Sequence, residues 1–195
     1  MDYELKGKKA IVSAGGSGIG YTIVEEFIKQ GVSISTCDID ESRIQELRNK
    51  YPQIYAEVID VGDEGAVKEF CINSIEFLGG LDCLVNNAGV AGPTLSIEEI
   101  DAEDWSHCLS VCLSSQFYFV KSCLKQLRKS SSASIVNLSS AAGQYGFAFR
   151  TPYASAKWGV IGLTKSLSIE LGKDKIRVNA VLPGLVAGVR QQNVL

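Results

Sequence analysis

Histidine is nearly missing from this sequence: among 195 residues only His107 is present. A single imidazole excludes a metal centre built on several histidines. A Ser-His-Asp triad would have to use His107, which stands beside Trp105 with no nucleophile elbow nearby. Cysteine occurs at 37, 71, 83, 108, 112 and 123, but never as Cys-x-x-Cys. That spacing excludes a small disulfide framework. Cys108 and Cys112 share a helix face at i, i+4 and in principle offer two metal ligands. Small buried side chains in a reducing compartment are the plainer reading, and no metal is expected. A basic excess is also lacking, since 19 Lys and Arg stand against 22 Asp and Glu, a net charge of -3. Nothing there points to nucleic acid, and no block of charge reads as a tail. No apolar run is long enough to cross a membrane, and the segment Met1–Gly7 is too polar for a signal peptide. The expectation is a soluble, cytoplasmic protein with no nucleic-acid and no membrane partner.

What is present is an alternation. Apolar, β-branched runs at Lys9–Ser13, Val32–Asp38, Ile54–Asp60, Leu81–Asn86, Ser134–Ser139 and Ile176–Leu182 read as strands. Several are apolar at consecutive positions, as strands covered on both faces require. Helical patterns fill the gaps at Ile19–Gln30, Glu41–Lys50, Glu64–Leu78, Ala102–Lys129 and Pro152–Leu171. Thr151 reads as an N-cap before a first-turn proline, and Gly172 as a stop. Right-handed β-α-β crossovers then give an α/β fold, a Rossmann-type doubly wound parallel sheet of at least six strands. No linker or repeat divides residues 1–195, so a single domain is expected. After Pro183-Gly184 the segment Leu185–Leu195 is too short for another helix and strand. Strand Ile176–Leu182 is thus expected at or near a sheet edge, and the natural chain is expected to continue and cover it.

The first strand runs into Ser13-Ala14-Gly15-Gly16-Ser17-Gly18-Ile19-Gly20, and a helix follows. Glycines between a strand and a helix let the backbone approach a pyrophosphate, whose charge the helix N-terminus favours. Asp38 lies eighteen residues beyond Gly20, at the end of the second strand. A carboxylate there accepts hydrogen bonds from both adenosine ribose hydroxyls and repels a 2′-phosphate. With no Arg or Lys in the glycine loop, the expected cofactor is NAD rather than NADP.

Tyr153 and Lys157 stand at i, i+4 on a helix and share a face. A phenol titrates near pH ~10, too high for acid–base work near neutrality. A cation ~4 Å away at an effective dielectric of ~20 contributes up to ~4 kcal/mol, about three pKa units. Ser140, at the carboxyl end of the fifth strand, lies where open α/β sheets bind ligands.

With these residues the chain resembles the short-chain dehydrogenase/reductase family, in its NAD-dependent Tyr-x-x-x-Lys branch. The resemblance spans the glycine loop at 13–20, Asp38, Asp60-Val61, Asn86-Asn87-Ala88-Gly89, the run from Ile135 to Ser140, Tyr153/Lys157, and the run from Arg177 to Gly184. It implies an oxidoreductase moving a hydride between NAD(H) and the carbon of a small alcohol or ketone. Tyr153 would be the acid–base and Ser140 would hold the substrate oxygen. Lys157 would bind the nicotinamide ribose and lower the tyrosine pKa. The cofactor would lie along Ala14, Ser17, Gly18, Ile19 and Gly20 of the pyrophosphate loop. Asp60 and Val61 would contact adenine, Asn87 would lie near the adenosine ribose, and Val186 would meet the carboxamide.

Four positions depart from the pattern. Ala14 replaces the first motif glycine, Ser115 another glycine, and Gly188 a threonine that bonds the cofactor. Cys112 occupies the place of the asparagine that kinks its helix and helps hold a water beyond the lysine. Cysteine is a poor hydrogen-bonding substitute. The alternative reading is therefore a catalytically impaired NAD-binding protein, a sensor or dimer partner. A Rossmann-like methyltransferase would leave Tyr153, Lys157 and Pro183-Gly184 without a purpose. The resemblance further implies a homodimer through helices 102–129 and 152–171, with Phe117, Phe119, Trp158 and Leu167 either at that interface or in the core. Gln144, Phe147 and Phe149, in the loop Gly143–Arg150, either line a pocket or cover the fold.

Overall fold

Six strands alternate with helices in the computed structural model, which describes residues 3–187. In chain order they are β1 (Lys9–Ser13), α1 (Gly18–Lys29), β2 (Ser33–Asp38), α2 (Glu41–Lys50), β3 (Tyr55–Val58), α3 (Glu64–Leu78) and β4 (Cys83–Asn86). Then follow α4 (Ala102–Leu109), α5 (Ser115–Leu127), β5 (Ser134–Leu138), α6 (Thr151–Glu170) and β6 (Arg177–Val181). All neighbours pair in parallel, in the order β3-β2-β1-β4-β5-β6. The chain winds outward from β1 to β3, then crosses back to lay β4 on the other side of β1. That reversal opens a crevice at the carboxyl ends of β1 and β4, where doubly wound sheets bind ligands.

The central strands are apolar on consecutive residues because both faces are covered. Ala10, Ile11 and Val12 of β1 are all fully buried. On one face Ile11, Leu84 and Ile135 pack with Phe70 of α3 and Phe119 and Leu127 of α5. The Phe70 and Phe119 rings meet edge-on, 6.1 Å between centroids, a geometry that adds about 0.5–1.5 kcal/mol to their area burial. On the other face Ala10, Val12, Ile34 and Val85 pack with Val24 of α1 and Ile44 and Leu47 of α2. Helix α6 lies against α4 and β6.

Several boundaries differ from the sequence-based expectation. β3 ends at Val58 rather than Asp60, because the Asp60 carboxylate accepts the Gly62 N–H at 2.8 Å and turns the chain. Thr151 is the first residue of α6 rather than its cap. The cap position falls on Arg150, after Phe149 has turned the chain in with φ 62°. The largest change is in the helix expected over 102–129. It is broken by a π-helical segment, Ser110–Ser114. The Ser115 hydroxyl donates to Val111 O at 2.7 Å, and the Gln116 amide donates to Cys112 O at 3.2 Å and to Leu138 O at 3.3 Å. Two of these bonds serve carbonyls inside the π-helical segment, and the third ties Gln116 to the end of β5. Strand β6 is a sheet edge among the described residues, as the alternation implied.

Candidate active site

Every nominated residue outside α6 lies at or just beyond the carboxyl end of a strand. The glycine loop follows β1, Asp38 ends β2, Asp60 and Val61 follow β3, Asn87 follows β4, Ser140 follows β5 and Val186 follows β6. The register of a parallel sheet brings these six ends to one rim.

At the β1 end, Ser17 is extended and makes no side-chain cap, and the first turn of α1 has no acidic residue. Among the described residues, the cap position of this twelve-residue helix therefore offers no side-chain acceptor to its leading N–H groups. Gly18 turns with φ 54° into open space. Gly20 sits so close to the Ala14 carbonyl and the Asn87 amide that a Cβ there would collide with both. The Asn87 amide donates to Ser13 O at 3.1 Å and Ala14 O at 3.0 Å, which pins the loop to β4. Ala14 has φ 53°. A left-handed alanine costs roughly 1–2 kcal/mol where a glycine would not. The Asp38 carboxylate accepts from Gly16 N at 2.9 Å and Asp40 N at 3.2 Å. Val61 is buried beneath exposed Asp60. An uncapped helix start, a close-packed glycine turn and a carboxylate one strand over fit the pyrophosphate and ribose of a dinucleotide.

The second half of the site is where β5 meets α6. Ser140 Oγ accepts the Ala142 N–H at 3.2 Å, which leaves its own proton to donate elsewhere. Ser139 Oγ donates to Lys157 O at 2.8 Å. Gly143 lies so near that a Cβ would run into Ser139 Oγ and come within 2.6 Å of Lys157 O. This close approach presses the Ser140 loop onto α6. Gly143→Ala should therefore destabilise the fold by about 1–3 kcal/mol, read as a lower denaturant midpoint. An unchanged midpoint would show that the approach is slack. Lys157 is only 3% exposed. Its ammonium donates to Leu138 O at 2.7 Å and lies 5.7 Å from the Tyr153 ring centroid. The end of β5, which carries Ser140, and helix α6, which carries Tyr153 and Lys157, are thus held together by hydrogen bonds from both sides.

The family model for short chain dehydrogenases matches residues 8–194. The chain belongs to this family. Its chemistry is hydride transfer between a nicotinamide dinucleotide and an alcohol or carbonyl carbon. The 3-oxoacyl-[acyl-carrier-protein] reductase FabG of Chlamydia pneumoniae is 35% identical over 190 residues, covering 95% of this chain and 76% of that protein. The L-fucose dehydrogenase of Bos taurus is 35% identical over 184 residues, covering 94% and 68%. The crystal structure of levodione reductase superposes with a TM-score of 0.90 at 28% identity, covering 97% of this chain and 76% of that one.

Three of the four departures from the short-chain dehydrogenase pattern, Ala14, Cys112 and Ser115, lie among the described residues. Cys112 lies within the π-helical segment, so the helix is deformed at this position with cysteine in place of asparagine. Its sulfur accepts from Val90 N at 3.3 Å and donates to Val90 O at 3.5 Å. The Cys108 thiol, one turn earlier, is pushed well above the usual thiol range by its hydrogen bond with Cys112 and by burial, against the pull of Lys157 and Arg150. Ser115 is buried, its hydroxyl turned onto Val111. Gly188 lies outside the described residues.

Sequence reasoning missed Arg150, whose guanidinium carbon lies 5.0 Å from the Tyr153 ring centroid. Its nearness to Tyr153 in sequence was the available signal. It also missed the buried chain in which Asn86 donates to Asn137 and Asn137 to Thr164, linking β4, β5 and α6. Two asparagines inside apolar strands could have revealed it. Gln144, Phe147 and Phe149 are exposed.

Proposed function

We propose that the chain is an NAD(H)-dependent short-chain dehydrogenase acting on the CH–OH group of a small alcohol, or on the matching ketone, with Tyr153 as acid–base. The observation that carries this reading is the junction of Ser140, Tyr153 and Lys157 at the rim that also holds the glycine loop and Asp38. The nicotinamide, when bound, supplies or takes the hydride. Tyr153 gives the proton to the substrate oxygen in reduction and removes it in oxidation. Ser140 donates a hydrogen bond to the same oxygen. Lys157 holds the nicotinamide ribose and keeps its charge beside the phenol. Ala14, Ser17, Gly18, Ile19 and Gly20 cradle the pyrophosphate, and Asp38 takes the adenosine ribose hydroxyls. Asp60, Val61 and Asn87 line the adenosine end, and Val186 meets the carboxamide.

The alternative, a nucleotide-binding protein with little turnover, rests on Cys112 and on the short stretch after Pro183-Gly184. A helix that still opens at Cys112 favours the enzyme. We also assign a cytoplasmic location, which six cysteines outside any disulfide support. Among the described residues no helix is long and apolar enough to cross a membrane. For a homodimer through α4–α5 and α6, Phe117 and Trp158 are available at 48% and 52% exposure, whereas Phe119 is core and Leu167 packs against the core.

Calorimetric titration with NADH and NADPH tests the cofactor assignment. Micromolar NADH affinity with weaker NADPH binding is expected. Equal affinities would remove Asp38 from its role, and a folded chain that bound neither would refute the dehydrogenase reading.

A further inference from the structure

Two cations flank the ring of Tyr153. Lys157 has its role in the reading above, and Arg150 has none there. Its guanidinium carbon stands 5.0 Å from the ring centroid and its Nη2 donates to Ala91 O at 2.6 Å. Its Nε is buried and finds no acceptor among the described residues. No carboxylate pairs with this arginine among them either. Nor does acid come from its own element, because the first turn of α6 has no Asp or Glu and its cap position carries no side-chain bond. The positive end of a twenty-residue helix therefore adds to the same field.

The side chain is held in place rather than free. Phe149 takes up its left-handed backbone just before it, with its carbonyl accepting Leu95 N at 3.0 Å, and Ala91 clamps the guanidinium from the other side. A partly buried cation with an unsatisfied N–H and no counter-charge is unfavourable unless something supplies the missing acceptor. The planar guanidinium fork suits a carboxylate, and a carboxylate there would lie a few bonds from a carbon reacting at Tyr153.

We infer that Arg150 is a specificity residue and that the substrate is a hydroxy or oxo acid, its carboxylate on Arg150 and its reacting carbon at Tyr153. This rests on the dehydrogenase reading. In the reducing direction the oxo acid takes one hydride at carbon from the dinucleotide and one proton at oxygen from Tyr153. The carboxylate is unchanged.

The test is calorimetric titration of pyruvate, acetoacetate and levulinate, each beside its methyl ester, into the chain loaded with NAD+, where two oxidised partners do not react. At least one acid should bind about 10–100-fold tighter than its ester, the range for one hydrogen-bonded charge. Arg150→Gln should erase that ratio, and Arg150→Lys, which keeps the charge and the packing stem, should retain part of it. An arginine that only braces Ala91 would weaken acid and ester alike and leave the ratio intact. Equal affinity for every acid and its ester, or a ratio that survives Arg150→Gln, overturns the inference. The dehydrogenase reading fails on a different result, turnover that survives Tyr153→Phe, so the two failures are distinguishable.

Discussion

Tyr153→Phe should lower turnover about 100- to 10,000-fold, the range for removing a positioned general acid–base. The substitution removes one oxygen and keeps the ring. Both cations that lie against that ring, Arg150 at 5.0 Å and Lys157 at 5.7 Å, therefore keep their contact. NADH affinity should fall by no more than about tenfold, the worth of one neutral hydrogen bond. Steady-state rates and NADH titration on the same preparation separate these effects. A variant with undiminished kcat would exclude Tyr153 as the proton donor. A variant that lost the cofactor altogether would show that the phenol holds the dinucleotide instead.

Asp38→Asn should shift the NADH-to-NADPH affinity ratio by about 100-fold toward NADPH. Roughly tenfold comes from replacing charge-assisted bonds to the ribose hydroxyls with neutral ones. The remainder comes from removing a negative charge beside a 2′-phosphate. The asparagine oxygen can still accept Gly16 N–H, so the loop that Asp38 now anchors at 2.9 Å need not move. Arg43 strengthens the expected gain. It lies beside Gly16 and Asp38, and among the described residues its guanidinium is held only by an exposed pairing with Glu46 at 3.1 Å. Competitive titration of the two dinucleotides measures the ratio. An unmoved ratio would mean that cofactor choice is made elsewhere.

The strands were legible because burial on both faces writes itself into consecutive apolar residues, as in Ala10-Ile11-Val12. The rim was legible because a parallel sheet brings all its carboxyl ends together, so locating the strand ends locates the loops. The strand ends themselves were less so. β3 is cut short by a side-chain hydrogen bond at Asp60, which a pattern of apolarity does not register. The break at Ser110–Ser114 was hidden for a similar reason. Cys108 and Cys112, or Val111, Ser115 and Phe119, keep an ordinary helical spacing through it. What accompanies the wider turn includes a bond from Gln116 to Leu138, twenty-two residues away. The resemblance put a kink at Cys112, but the residues gave no such sign. Arg150 was visible as a letter and not as a contact. Its place on Tyr153 follows a left-handed Phe149, a backbone state that a bulky aromatic residue does not advertise.

Five of the six cysteines are fully buried, and they are spread over different layers. Cys71 and Cys123 face each other, sulfurs 3.6 Å apart, where α3 meets α5. Cys37 lies in β2, and Cys108 and Cys112 form the wall behind Tyr153. A thiol reagent reaches each of them only when its own layer parts. The alkylation rates of these sulfurs therefore act as three clocks, timing the breathing of the α3–α5 seam, of β2 and of the wall behind Tyr153 without any added label.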